Sequence, residues 1–467
     1  MLQPKPITRR TALSFVGAAS ALGVTQLSGL ASTPEALEMS IQSAAYPIAG
    51  PITQGMVSTS PDGPPPVIRM SQGTPFAADV TNLLPDYTTM HWHGLRVPNA
   101  MDGVPYLTQM PIAQGETFPY RFISPDAGTY WYHPHCMTMD QMALGLTGIL
   151  IVDEEKDPGF DAEIALNLRD FRVRPNGEWL DLWTGRGAAR GGTLGTVMTT
   201  NWRRSPRYKA PSGGMVRLRI AATDTARIYR LVLPGADGVI VARDGHPVRQ
   251  EENFPTREQP LILGPGQRAD LAIRMPPESG RIIEVQALTA GQVRLLATLE
   301  SSGPSGANTG KAFPRLVPNP IPDVNLASAR LEEFVFGWSP DGNLPNNGLC
   351  GTLGYTFWSV NRIPWAGDAA QGTGALATFK RGEHVVLRLR NESPNAHPIH
   401  LHGLVFRPIQ SNKRVLPSNW TDTAMLLKNE TLDVALVADN PGDWAFHCHV
   451  IEHQKTGLAG FIRVLDA

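Results

Sequence analysis

The two ends of this chain repeat one another, and that repeat limits what it can fold into. Near the start stand His91-Trp92-His93-Gly94-Leu95 and then Gly128-Thr129-Tyr130-Trp131-Tyr132-His133-Pro134-His135. Near the end stand His400-Leu401-His402-Gly403-Leu404 and then Gly442-Asp443-Trp444-Ala445-Phe446-His447-Cys448-His449. Order, spacing and aromatic flanks all recur, so the repeat has the scale of a domain. Two homologous domains would bring matching half-sites together. In an extended segment successive side chains point to opposite faces. His447 and His449 would then look one way and Cys448 the other. A thiolate on one metal, flanked by imidazoles on another, makes a short covalent path for electrons. Ten of the twelve histidines fall in four such segments, the third being His397-Pro398-Ile399-His400-Leu401-His402 and the fourth running on to His453.

A chain of 467 residues exceeds a single ordinary core and predicts two or three domains. Glycine (45) and proline (41) exceed their usual share, and long amphipathic helical stretches are scarce. Val216-Arg217-Leu218-Arg219-Ile220 and Val385-Val386-Leu387-Arg388-Leu389-Arg390 alternate with period two, as half-buried strands do. The fold class is therefore all-β. The expected order is a site domain at 46–158, a spacer domain at 159–300, a Gly/Ser/Pro-rich linker at 301–325 and a second site domain at 326–467. The formal charge of −1 and the lack of an internal basic block argue against a nucleic-acid partner.

Thr8-Arg9-Arg10-Thr11, followed by a mildly apolar run to about Ala31, reads as a twin-arginine export signal at 1–31, with cleavage as late as Ala45 also open. A short membrane anchor is the alternative, but polar residues break the apolar run well short of about 20 residues. A soluble, monomeric, periplasmic mature protein is expected. Of three cysteines, Cys448 belongs to its motif. Cys136 and Cys350 either pair or remain buried free thiols, and free thiols are the expectation.

Two imidazoles and one thiolate with a weak axial neighbour describe a blue-copper electron-transfer site. His397, Cys448 and His453 supply that set. Leu458, ten residues beyond the cysteine, would hold the axial position without coordinating, which raises the potential. His91, His93, His133, His135, His400, His402, His447 and His449 suit three further copper ions. Four coppers match the four electrons that reduce O2 to two waters.

These segments resemble the copper-binding signatures of the multicopper oxidases, laccase-like proteins of three cupredoxin domains. Asp244-Gly245-His246-Pro247 and Pro265-Gly266-Gln267-Arg268-Ala269-Asp270 extend the likeness through the middle. The resemblance implies cupredoxin-like Greek-key sandwiches. It places a type 1 copper on His397, Cys448 and His453, and a type 2 copper on His91 and His400. The type 3 pair would sit on His93, His133, His135, His402, His447 and His449. A zinc site uses similar ligands but does not need four paired segments. A copper-free cell-division relative shares the architecture but has lost the ligands.

Asp102 matches an acidic residue that helps deliver protons in this family; a solvated Asp-Gly turn is the alternative. Where copper-tolerance oxidases commonly carry an acid, this chain has Gln454, which leaves Asp102 or Glu452 to serve. Glu452 is expected to be solvated. Met137, Met139 and Met142 read as core filling rather than a Cu(I) path, and His246 and His384 as non-ligands. The partners implied are O2 and a small reducing donor, whose electrons would enter through whichever edge of His453 or His397 is exposed. Phenols or aromatic amines are the favoured donors. Oxidation of Cu(I), Mn(II) or Fe(II) is the alternative enzyme reading, and a copper-binding or cell-envelope scaffold the alternative of another class.

Overall fold

The computed structural model of the protein describes residues 35–340, 349–365 and 374–466. The export signal expected at 1–31 lies outside them. Strands dominate, in six sheets that pair as three sandwiches. In the first, Leu37–Tyr46, Thr53–Ser58, Pro75–Asn82 and Thr117–Ile123 form one sheet, while Ile68–Ser71, His91–His93, Gly128–His133 and Gly148–Asp153 form the other. Met39, Ile41, Val80 and Phe122 from one sheet meet Trp92, Tyr130, Leu150 and Val152 from the other. Six- and five-stranded sheets make the middle sandwich, over a core that includes Leu218, Ile220, Leu271, Val285 and Leu299. Two five-stranded sheets make the last, where Phe334, Leu387 and Val434 pack on Ile399, Leu401, Phe446 and Ile462. Among the described residues no helix is long and apolar enough to cross a membrane.

Sheet pairing starts earlier than residue 46. Leu37–Tyr46 lies between Thr53–Ser58 and Pro75–Asn82 in its sheet, so cleavage after Ala45 would remove most of that strand. Strand Gln292–Ser305 likewise continues into the expected linker. Farther on, the Asn319 amide donates to Ala127 O (2.9 Å) and Arg96 donates to Pro320 O (3.1 Å), which straps the linker to the first sandwich.

His384–Asn391 alternates as expected, with every second residue buried. Met215–Ala222 does not: all eight residues are buried. Its polar face is covered by the first sandwich. Arg219 donates to Thr129 Oγ1 (2.9 Å), and Arg217 pairs with Asp270 (2.7 Å) and Glu154 (2.6 Å). Buried guanidinium groups persist only with such partners.

Cys136 and Cys350 form a disulfide across 214 residues of sequence, correcting the expectation of free thiols. Both are buried, and the fold, not local spacing, brings them together. The bridge joins the turn after His135 to a loop of the last domain. Closing so long a loop restricts the unfolded chain, so Cys350→Ser should lower stability by about 2–4 kcal/mol. Chemical denaturation of the oxidised wild type and the variant measures this; equal midpoints and slopes would refute it.

Candidate metal centre

Antiparallel register builds the same half-site twice. His91 sits opposite His133 in the first sandwich, and His400 sits opposite His447 in the last. Each member then repeats its counterpart's anchoring. His91 Nδ1 donates to Asp102 O (2.7 Å) and His400 Nδ1 to Asp422 O (2.9 Å). His133 Nδ1 donates to Pro134 O and His447 Nδ1 to Cys448 O, both at 2.9 Å. Anchoring one ring nitrogen leaves the other unprotonated and fixes its direction, as metal-binding histidines require.

Eight histidines from the two ends meet in one buried cluster. Their ligand atoms converge in three groups: His91, His93 and His400; His93, His133 and His449; His135, His402 and His447. The rings of His91 and His402 stack at 3.8 Å, as do those of His93 and His400. Burial, followed by neighbouring imidazoles, lowers the pKa values of His93, His133, His135, His402 and His449 well below the ordinary histidine range. His447 is pushed down to about 3.

On the far side of the strand bearing His447, Cys448 joins His397 and His453. Cys448 Sγ lies 3.6 Å from His397 Nδ1 and 3.5 Å from His453 Nδ1, and the two nitrogens are 3.0 Å apart. The Val450 amide donates to the sulfur (3.4 Å). Burial raises the Cys448 pKa and lowers that of His453 to about 4. Leu458 is fully buried; its backbone bonds both Cys448 N (3.0 Å) and His453 O (2.9 Å).

The donor set fits soft and borderline cations. His91 Nε2, His93 Nδ1, His133 Nε2, His135 Nδ1, His400 Nε2 and both His449 nitrogens are buried without a hydrogen-bond partner. Such groups are costly to bury unsatisfied. His402 and His447 direct their Nε2 atoms at each other across 3.0 Å, while their Nδ1 atoms donate elsewhere. Two lone pairs at that distance repel unless a cation lies between them.

Asp102 is buried, so the solvated-turn alternative does not hold. Its Oδ2 accepts from His402 Nδ1 (2.9 Å), and Oδ1 lies 3.3 Å from His91 Nδ1. Glu452 is also buried, contrary to expectation. It accepts from Thr193 Oγ1 (2.7 Å) and the Thr193 and Thr184 amides, which ties the middle domain to the last. Gln454 Nε2 lies 3.3 Å from His135 Nε2. Met139 and Met142 fill a core with Trp131 and Ile451, and Met137 lies near Gly351. His246 bonds Asn319 and His384 bonds the Asn325 amide; neither belongs to a ligand group.

Neither candidate entry edge is exposed: His397 and His453 are both fully buried. His453 Nε2 donates to Arg190 O (2.5 Å), and His397 Nε2 bonds Ser393 Oγ (2.8 Å). A middle-domain loop covers the first and a last-domain turn the second.

Three residues at the cluster received no role from the sequence, although Gly266 and Arg268 lie in the Pro265–Asp270 segment that carries the family likeness. Asp422 Oδ1 lies 3.1 Å from His93 Nε2 and 3.4 Å from His400 Nδ1. Arg268 pairs with Asp422 at 2.6 Å. Burial opposes the carboxylate's charge, but Arg268 and the adjacent histidines hold its pKa well below the usual range. Gly266, at φ +90°, lies so close that a Cβ would meet His449 and His93 at 3.0 and 3.1 Å.

Multicopper oxidase family models match residues 41–157 and 351–467. Multicopper oxidase MmcO of Mycobacterium tuberculosis is 31% identical over 452 residues, covering 90% of this chain and 84% of that protein. Laccase-2 of Botryotinia fuckeliana is 26% identical, covering 85% and 76%. A multi-copper oxidase structure from Pseudomonas thermotolerans superposes with a TM-score of 0.83 at 37% identity, over 92% of this chain and 99% of that one. The chain belongs to the multicopper oxidases: it is a copper-dependent oxidoreductase with O2 as acceptor.

Proposed function

We propose that the chain is a laccase-like oxidase holding four copper ions, which takes single electrons from phenols or aromatic amines. Two observations support this reading: Cys448 turns into one ligand group while its neighbours His447 and His449 turn into the other, and the ring of Trp358 packs against both imidazoles of the first group. His397, Cys448 and His453 would hold the type 1 copper, and His91 and His400 the type 2 copper. The groups His93, His133, His449 and His135, His402, His447 would each hold one type 3 copper. Bound copper would supply one-electron acceptance at the first group and four-electron reduction of O2 at the second. The backbone carbonyls of Asp102, Pro134, Asp422 and Cys448 orient the imidazoles, and Asp102 holds a carboxylate at the cluster for proton supply. Ring contacts of Trp358 with His397 and His453, at 5.1 and 4.8 Å, favour an aromatic donor, as do the laccases among the relatives. Export by the twin-arginine route to the periplasm belongs to the same proposal. O2 consumption by the copper-loaded protein, with a phenol and with Cu(I) in parallel, tests it. Faster turnover of Cu(I) than of any phenol would overturn the donor assignment, and no turnover at all would favour a scaffold.

An alkyl axial neighbour offers copper no lone pair and favours Cu(I). Leu458→Met should therefore lower the potential of the blue site by tens of millivolts; about 59 mV is a tenfold change in equilibrium for one electron. A redox titration of the blue band decides, and an unchanged or raised potential would remove Leu458 from the axial position.

A further inference from the structure

With both ligand imidazoles sealed, an electron from a donor in solution needs another way in. Strand Arg330–Trp338 pairs antiparallel with Trp358–Val360, and the register sets Trp338 directly opposite Trp358. Directly opposed residues of such a pair can bring their side chains together. The two indoles stack with centroids 4.3 Å apart and planes 15° apart. Trp358 is fully buried, whereas Trp338 is 46% exposed. The inner ring is held in place, since its Nε1 donates to Ala188 O (2.7 Å). From Trp358 the next rings inward are His453 at 4.8 Å and His397 at 5.1 Å. A continuous column of π systems therefore runs from solvent to both imidazoles of the type 1 group. Its outer end opens on a cavity of about 220 Å³ lined by Val335, Gly337, Trp338, Ser359, Arg362 and Glu392.

The geometry points to the Trp338–Trp358 stack as the electron inlet, with an aromatic donor docking against the exposed face of Trp338. This rests on the phenol reading above and names where that donor sits. Indole is among the few side chains that can give up and regain a single electron, so two stacked indoles offer stepping-stones that covering backbone does not. An offset-stacked or edge-on aromatic ring is also the natural partner for an exposed indole. For a phenol, the O–H bond breaks, the proton leaves to water at the solvent-facing cavity, and one electron passes inward. The donor becomes a phenoxyl radical, and a copper held by His397, Cys448 and His453 would accept that one electron. Four such events supply the electrons for one O2.

The test uses the full chain as wild type, Trp338→Leu and Trp338→Phe. In the metal-free protein, binding of 1,2-dimethoxybenzene is followed by saturation-transfer NMR. In the copper-loaded protein, kcat/KM for 2,6-dimethoxyphenol is measured beside the intensity and potential of the blue band. Loss of the exposed indole in the leucine variant should weaken binding and lower kcat/KM about tenfold or more. The phenylalanine variant should recover most of both, and the blue band should not change in any of them. Unchanged binding, unchanged kcat/KM, or a leucine variant that matches the phenylalanine one overturns the inlet and leaves the phenol reading standing. A wild-type protein inert toward phenols but active on Cu(I) is a different result: it overturns the functional reading, and the donor named here with it.

Discussion

Cys448→Ser should remove the blue absorbance and reduce donor oxidation to background. The colour depends on sulfur-to-copper charge transfer, and an alkoxide oxygen supplies neither that transition nor a comparable electronic path. The same variant should keep the other coppers, because the eight-histidine cluster shares no ligand atom with the Cys448 group. Visible absorbance and copper stoichiometry, measured on one preparation, test both halves. Retained blue colour would sink the type 1 assignment. Loss of all copper would show instead that the two sites depend on each other for binding.

Asp102→Asn carries the second large effect. The substitution keeps the size and one accepting oxygen but removes the titratable group, so turnover should fall by about 10²-fold if Asp102 supplies protons. Reduction of the blue copper by substrate under anaerobic conditions should stay fast, because that step lies outside the histidine cluster. An amide can still accept from His402 Nδ1, where Asp102 Oδ2 now accepts at 2.9 Å, so ring positioning is largely preserved. Steady-state rates within a few-fold of wild type across pH would reduce Asp102 to a positioning residue.

The ligands were readable because each motif is local. Period-two geometry separates Cys448 from His447 and His449, and it applies to any strand, so the structure reproduces that division directly. The groups that support the ligands were not readable. Asp422 lies 329 residues from His93, and nothing around it distinguishes it from any buried aspartate. Arg268 and Gly266 reach the cluster from the middle domain, which the metal motifs do not mark. Burial was misjudged wherever a domain interface supplied it. Arg217 and Arg219 alternate with apolar residues as a solvated face would, yet the first sandwich covers them. Glu452 and the edge of His453 are hidden by the middle domain in the same way, while the edge of His397 is covered by a turn of its own domain at Ser393. The disulfide escaped because its partners lie 214 residues apart and only the assembled domains make them neighbours. Trp338 and Trp358 meet through strand register, which depends on pairing rather than on either residue's local sequence.

Division of the eight-histidine cluster between the first and last sandwiches makes copper a fastener of the assembly. No short segment contains a complete ligand group of that cluster, so only the docked ends present it whole, whereas the His397, Cys448 and His453 group lies within the last sandwich alone. Ligand that binds only the docked state stabilises it in proportion to the logarithm of its concentration, and a thousandfold excess over Kd is worth about 4 kcal/mol per ion. The cohesion of the outer domains thus gains a contribution that rises with the metal supply around the chain, beside the Cys136–Cys350 bridge that already joins them covalently.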